Sequence, residues 1–214
     1  MARLTDKSKP PVVKGVVGAT LRTGNYQALW GAAFLGWNLK WVQGYTTTAE
    51  LRQAIERGEI DTTAFGSSTD IDLLMGSGNY AIASQTGAVI DGKLTARPVF
   101  GAAPMISELV RGKISDARAQ KAFEYGEFVS QVGTLVALPP GAAAPMVEAW
   151  RKAFEAAVKD PQFQADWAKL DPDSLVATKA ELDALVASLG RTEPATLEFI
   201  QAELKRQGFE TNVR

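Results

Sequence analysis

The stretch from Trp41 to Thr63 decides the fold and reads W-V-Q-G-Y-T-T-T-A-E-L-R-Q-A-I-E-R-G-E-I-D-T-T. The pattern predicts the end of a strand, a tight turn, one amphipathic helix and the start of another strand. Thr47 and Glu50 have the spacing of a capping box, in which the hydroxyl and the carboxylate each bind a backbone N–H group. Gly58 is suited to end the helix because glycine adopts a left-handed conformation without strain.

The helix in this stretch has one apolar face. Leu51, Ala54 and Ile55 fall together at helical spacing, and charged or polar residues take the opposite side. Ile60 then opens the next strand. A strand, a crossover helix and a strand form the parallel unit of an α/β sheet. The stretch therefore predicts a parallel sheet with helices packed on it.

The first half of the chain repeats this alternation. An apolar run at Val12–Val17 predicts a buried strand, and a glycine- and hydroxyl-rich turn follows at Gly18–Asn25. A helix is expected from Tyr26 to Leu35, a second strand at Asn38–Gln43 and a third at Ile60–Ala64. We therefore predict an α/β fold with a mostly parallel sheet and flanking helices.

Further elements follow the third strand. The segments Tyr80–Ser84 and Leu94–Val99 are weaker strand candidates, and Ser115 is expected to cap a helix that reaches Val129. Thr134–Gly141 predicts one more strand. Beyond it the chain is helical, and four aromatic residues are expected to be buried there: Trp150, Phe154, Phe163 and Trp167.

Two more helices are expected near the carboxy terminus. Thr178 and Glu181 have the spacing of a second capping box, and Pro194 opens the last helix. The predicted organisation is a flexible lead-in at residues 1–11, an α/β ligand-binding lobe at 12–133, and a crossover strand with a helical region at 134–214.

Composition excludes several classes of function. The chain has 214 residues, 46% of them hydrophobic and 22% charged, and a net charge of −1 with its basic residues dispersed. A dispersed charge of this kind argues against nucleic-acid binding, which needs a concentrated basic face. Cysteine and histidine are absent, so thiolate nucleophiles, disulfides and imidazole chemistry are excluded. No apolar run reaches membrane-spanning length, so direct membrane insertion is not expected.

Three strand-to-helix turns carry small and hydroxyl residues: Gly18–Asn25, Gly44–Thr48 and Gly66–Thr69. Ligands of open α/β sheets bind beyond the carboxyl ends of the strands, where such turns converge. Backbone N–H groups and hydroxyls suit an anion there, and Arg22 adds a charge. The alternative is that these residues only cap helices, since turns are rich in them for that reason.

The remaining patterns do not indicate chemistry. No glycine-rich segment completes a nucleotide-binding motif, so no cofactor is expected. Asp70 and Asp72 lack a third metal ligand nearby and are interpreted as a solvated helix start. Ser67 and Ser68 would be nucleophiles only beside an activating base, and no histidine exists to serve as one.

The sequence resembles the extracytoplasmic substrate-binding receptors of the tripartite tricarboxylate transporter family, also called Bug proteins. The resemblance is carried by the stretch from Trp41 to Asp61, by V-A-L-P-P-G at Val136–Gly141 and by the helix and Asp-Pro-x-Phe ending within Glu148–Phe163. Q-T-G at Gln85–Gly87 and P-V-F-G-A-A-P at Pro98–Pro104 are also similar. The resemblance implies a two-lobed periplasmic-binding-protein fold of the second type, with the first lobe largely missing here.

The resemblance also implies a function. Members of that family bind small organic carboxylates in the periplasm through backbone amides and hydroxyls, without catalysis or cofactors, and deliver them to membrane transporter subunits. The leader peptide is expected to lie outside this chain. The predicted ligand-binding residues are Gly18, Ala19, Thr20, Arg22, Thr23, Gly24, Asn25, Tyr26, Tyr45, Thr46, Thr47, Gly66, Ser67 and Ser68.

Two other functions stay open from the residues. A single lobe offers half of a binding cleft, so the chain is alternatively a degenerate lobe that acts as an interaction or structural module. An acyl or phosphoryl transferase that works from the same turns is the other alternative, and it needs an activated nucleophile or a metal.

Overall fold

The computed structural model describes residues 2–18, 21, 23–66, 68–90, 93–131, 133, 135–170, 176–177 and 179–209. The described helices are α1 (Ala2–Thr5), α2 (Tyr26–Phe34), α3 (Thr48–Glu56), α4 (Ser68–Gly76), α5 (Ile106–Val110), α6 (Ala117–Val129), α7 (Ala144–Ala157), α8 (Pro161–Leu170), α9 (Lys179–Gly190) and α10 (Pro194–Arg206). The described strands are β1 (Val12–Val17), β2 (Leu39–Tyr45), β3 (Ala88–Ile90) and β4 (Lys93–Thr95). The fold is mixed α/β, as predicted.

The sheet at the centre of the fold is parallel. β1 pairs with β2 in parallel, with Val12 opposite Leu39. The predicted third strand is reduced to an extended segment that joins the other side of β1 at one parallel bridge, between Lys14 and Thr62. The Gly15 N–H group donates to the Thr62 carbonyl at 3.0 Å. The three segments therefore run in the same direction, and their carboxyl ends meet at one edge.

Helices cover both faces of this sheet. On one face, Val16 packs in a core that contains Trp30 of α2, Phe123 of α6 and Ile200 of α10. On the other face, Val17 packs in a second core that contains apolar residues of α3 and α4. β1 is buried from both sides, which explains its continuous apolar run.

Gly15 allows α3 to lie close to β1. A Cβ atom at Gly15 would lie 2.5 Å from Ile60 Cδ1 and 2.8 Å from Leu51 Cδ2. The predicted apolar face of α3 is confirmed, since Leu51, Ala54 and Ile55 are all buried. Close packing at this glycine fixes the helix that leads from β2 to the third parallel segment.

The lead-in and the last helix both pack on the α/β lobe. The lead-in predicted at residues 1–11 contains α1, where Leu4 is buried in the core and its carbonyl accepts from the Asn38 N–H group at 2.6 Å. α10 packs against α6, and Lys121 forms an ion pair with Glu193 at 2.8 Å just before α10. The last helix therefore belongs to the core of the lobe predicted at residues 12–133.

Several predicted elements differ from the structure. The segment Tyr80–Ser84 is irregular, and the described residues of Thr134–Gly141 form no strand. β4 covers only part of the predicted strand at Leu94–Val99 and pairs antiparallel with β3. Asp116 caps α6 in place of Ser115, because its carboxylate accepts from two backbone N–H groups of the first turn. Thr178 lies outside the described residues.

The Q-T-G motif has a structural role. Gln85 is buried, and its side-chain oxygen accepts from the Arg97 N–H group at 2.7 Å. Its side-chain nitrogen donates to the Ala103 carbonyl at 2.8 Å. The Gln85 side chain therefore connects its own segment to Arg97 and Ala103, which lie 12 and 18 positions later in the chain.

The largest difference lies in α7, α8 and α9. The sequence predicts buried aromatic residues there, but Trp150 is 54% exposed and Trp167 is 42% exposed. Phe154 and Phe163 are also exposed, and Phe163 stacks on Trp167 with ring centroids 5.9 Å apart. The apolar residues of α7 and α8 are spaced as in amphipathic helices, but these four aromatic side chains remain 39–54% exposed. The prediction of burial is therefore wrong for these four residues.

Candidate functional site

The first and second predicted turns meet where β1 and β2 end. The Gly18 N–H group donates to the Tyr45 carbonyl at 2.7 Å, and the Gly44 N–H group donates to the Gly18 carbonyl at 3.2 Å. Gly18 and Gly44 have φ angles of 69° and 103°, which glycine adopts without strain. These two glycines join the ends of the neighbouring strands, so the first two turns lie side by side.

The first turn also meets the segment that leads to the third. A Cβ atom at Gly24 would lie 2.9 Å from the Ala64 Cβ atom, so these two positions are in direct contact. Further along, Arg52 of α3 lies 3.5 Å from Asp70 of α4. The described ends of the first and second turns, and the segment that leads to the third, therefore lie close together at the carboxyl edge of the sheet.

The second turn is occupied by the protein's own groups. The Thr46 N–H group and hydroxyl donate to the two carboxylate oxygens of Glu50, each at 2.7 Å. The Thr47 hydroxyl accepts from the Glu50 N–H group at 3.1 Å, so the hydroxyl half of the predicted capping box is present, while the carboxylate reaches back to Thr46. The Thr46 N–H group and hydroxyl hold the pKa of Glu50 below its usual value.

This internal bonding corrects one expectation. The amide and hydroxyl of Thr46 and the hydroxyl of Thr47 are engaged within the protein, although the sequence predicted that they would be free for an anion. The same carboxylate that caps the helix places a negative charge where an anionic ligand was expected. A role of Tyr45, Thr46 and Thr47 in ligand binding stays a prediction.

Tyr26 packs in the interior. Its ring lies 6.0 Å from that of Trp30, and a Cβ atom at Gly126 of α6 would lie 2.8 Å from Tyr26 Cδ1. Burial, together with the neighbouring Tyr125, raises the pKa of Tyr26 to about 12. The contacts of Tyr26 are those of a residue that joins α2 to α6.

Asn25, directly before α2, has a different environment. It is 5% exposed, yet its side-chain oxygen has no hydrogen-bond donor among the described residues. It makes no side-chain cap on α2, although asparagine is a favoured capping residue. A buried oxygen without a donor is uncommon in folded proteins, so Asn25 is the predicted site residue whose surroundings fit a binding role best.

A wide cavity of 2190 Å³ lies beside the converging turns. Of the predicted site residues, Gly24, Asn25 and Gly66 line it, and Gly18, Tyr26, Tyr45, Thr46 and Thr47 do not. The exposed aromatic residues of α7 and α8 line another part of it. The volume exceeds the range of about 300–1,000 Å³ typical of small-molecule sites, so a small ligand would occupy only part of the space.

Lys14 is a candidate site residue that the sequence reasoning missed. It lies in the middle of β1, is 2% exposed and lines the same cavity. Its amine has no hydrogen-bond acceptor among the described residues, and burial lowers its pKa to about 7. A lysine within an otherwise apolar strand was the signal that could have found it, because lysine is almost never fully buried without a partner.

Part of the predicted set cannot be placed. Ala19, Thr20, Arg22 and Ser67 lie outside the described residues, and only the backbone is described at Thr23 and Ser68. Their participation in a site stays a prediction.

The aspartates of α4 give no indication of a metal centre. Asp70 forms an ion pair with Arg52, and no group of three or more potential metal ligands occurs among the described residues. Within the same part of the chain, no helix has the length and apolar character needed to cross a membrane.

Comparison with known proteins identifies no relative. No protein-family model matches the chain. Neither a curated protein nor a solved structure shows significant similarity to it.

Proposed function

We propose that this chain is a solute-binding protein of the periplasm, or the carboxy-terminal part of one, that binds a small organic carboxylate for delivery to membrane transporter subunits. The single observation that carries the proposal is the convergence of strand-to-helix turns beside the cavity, with Gly24, Asn25 and Gly66 on its wall. The resemblance to Bug receptors is in agreement with it. In the proposal, the fold is one lobe of a type II periplasmic-binding protein.

The proposed role is binding without catalysis. Asn25 presents a buried polar group near the start of α2, and the amides of a helix start favour negative charge. Thr62, Thr63 and Ala64 continue the same wall along the third parallel segment. In this proposal the ligand is recognised by backbone amides and a few polar side chains, and no covalent step is involved.

Isothermal titration calorimetry tests the proposal. The purified chain is titrated with mono-, di- and aromatic carboxylates, each paired with its neutral amide. We expect heat from at least one carboxylate and none from its amide. Asn25→Asp adds a negative charge to the part of the wall formed by the turns and should abolish that heat. Gln201→Glu adds a negative charge at an exposed residue that does not line the cavity and should preserve it. A chain that binds none of the carboxylates contradicts the proposal.

A second candidate function is an interaction module. The exposed aromatic residues of α7 and α8 favour it, since exposed apolar patches mark surfaces that contact other proteins. The occupation of the second turn by Glu50 also favours it, because this turn then has fewer free groups for a ligand. Light scattering after size-exclusion chromatography separates the two candidates. Self-association that Trp150→Glu abolishes, in a chain that binds no carboxylate, would support the interaction module.

A further inference from the structure

Lys14 is held in an apolar setting at the centre of the sheet. Its neighbours on the same face of β1 are Val12 and Val16, both buried. Across the sheet it stands opposite Trp41 of β2 on one side and Thr62 on the other. An ammonium group in such a position loses its hydration and gains nothing from its neighbours, which makes its burial costly.

Buried hydrogen-bond donors without acceptors accumulate in this part of the core. The Lys14 amine has no partner among the described residues, and the same holds for the indole N–H groups of Trp30, Trp37 and Trp41. Lys14 and Trp37 both line the cavity. Buried polar groups in native proteins are hydrogen-bonded with few exceptions, so several unpaired donors in one core indicate a missing acceptor. A carboxylate meets this need, because it only accepts hydrogen bonds and carries the charge opposite to that of lysine.

We propose that Lys14 binds the carboxylate group of the ligand, and that the site takes a monocarboxylate with a compact apolar body, of the benzoate class. This inference rests on the proposed function and assigns to it a residue and a ligand class. The Lys14 amine is covered in the structure, so binding includes a rotation of its flexible stem toward the cavity.

The positions of the cations along the cavity favour a single carboxylate. Arg151, Lys159 and Lys179 also line it but are exposed, where an ion pair contributes little. Arg97 lies over the Phe100 ring at 4.9 Å. Lys14 is therefore the one buried cation along the described part of the cavity, and a second carboxylate on the ligand would meet no comparable charge.

The body of the ligand would contact apolar groups. Trp37, Leu39 and Ala28 line the cavity together with Lys14. Tryptophan and aliphatic side chains favour a flat or branched hydrocarbon body over a polar one. Polyhydroxylated acids and tricarboxylates would leave polar groups unpaired against these side chains, so the structure disfavours them.

Calorimetry with benzoate and benzamide tests the assignment. The two probes share their ring, but only benzoate carries the charge. We expect wild-type protein to bind benzoate and not benzamide, and Lys14→Met to weaken benzoate binding by about 10- to 100-fold, as loss of a charged hydrogen bond does. Lys40→Met is the matched control, because Lys40 lies on the neighbouring strand and is exposed. It should bind benzoate as wild type does.

A second measurement keeps the test valid if Lys14→Met fails to fold. In wild-type protein labelled with lysine that carries ¹³C at Cε, saturation with benzoate should shift the Lys14 resonance and leave the Lys40 resonance unchanged. The Lys14 resonance is assigned by its absence from Lys14→Arg protein. An unshifted Lys14 resonance at saturation refutes the assignment.

The outcomes separate this inference from the proposed function. Benzoate binding that survives in Lys14→Met protein refutes the role of Lys14 and leaves carboxylate binding intact. Binding of succinate or citrate without binding of benzoate refutes the ligand class alone. A wild-type chain that binds no carboxylate refutes both.

Discussion

The buried Lys14 makes a specific prediction about stability and pH. Burial lowers its pKa from 10.5 to about 7 in the folded protein, whereas the unfolded chain regains the ordinary value. Between about pH 7 and pH 10.5 the unfolded state holds a proton on Lys14 that the folded state lacks, so the free energy of unfolding rises with pH. Below about pH 7 both states are protonated, and the folded state bears the full cost of the buried charge.

The magnitude follows from the two pKa values. One pH unit corresponds to about 1.36 kcal/mol. The interval between 10.5 and about 7 therefore corresponds to an increase of about 5 kcal/mol in the contribution of Lys14 to the free energy of unfolding. Lys14→Met removes this contribution and retains a side chain of similar length. We therefore expect Lys14→Met to be more stable than wild type at pH 6, and the difference to shrink by several kcal/mol by pH 10.

Urea denaturation followed by tryptophan fluorescence at pH 6, 8 and 10, without ligand, measures this difference. Glu127, whose pKa is raised to about 7 by burial, titrates in both proteins and cancels in the comparison. Lys40→Met removes an exposed lysine and should show no such pH dependence relative to wild type. A stability difference between Lys14→Met and wild type that stays constant from pH 6 to pH 10 would refute the reasoning.

Two further predictions concern packing. Gly31→Ala should lower the free energy of unfolding by about 1–3 kcal/mol, because the new Cβ atom would lie 2.1 Å from the Trp37 ring. Gly76→Ala, where no heavy atom lies within 4 Å, should be nearly neutral, and an equal cost at both positions would contradict the described packing. Trp30 is 1% exposed, so Trp30→Ala should lower the free energy of unfolding by about 3–5 kcal/mol. Trp167 is 42% exposed, so Trp167→Ala should lower it by less than about 1 kcal/mol. Both comparisons are made by urea denaturation, and similar losses for the two tryptophans would mean that α8 is covered in solution.

The sequence by itself determined the elements whose signals are local. β1 has the bounds that its apolar run predicts, and α3 has the predicted cap at Thr47, the predicted buried face and the predicted left-handed Gly58. Capping and helical periodicity depend on residues within one or two turns of each other, so a linear pattern contains the information. The parallel pairing of β1 with β2 followed from the crossover between strands.

Only the tertiary structure decided what each element meets. Periodicity predicted the apolar sides of α7 and α8, but it did not predict that their aromatic residues remain exposed. The residues around Thr46 predicted a polar turn, but they did not show that the Glu50 carboxylate occupies it. The burial of Lys14 depends on β2 and on the segment at Thr62, which are separated in the chain and brought together by folding. Burial, lost hydration and a lowered pKa are properties of an enclosing surface, and no single stretch of sequence contains that surface.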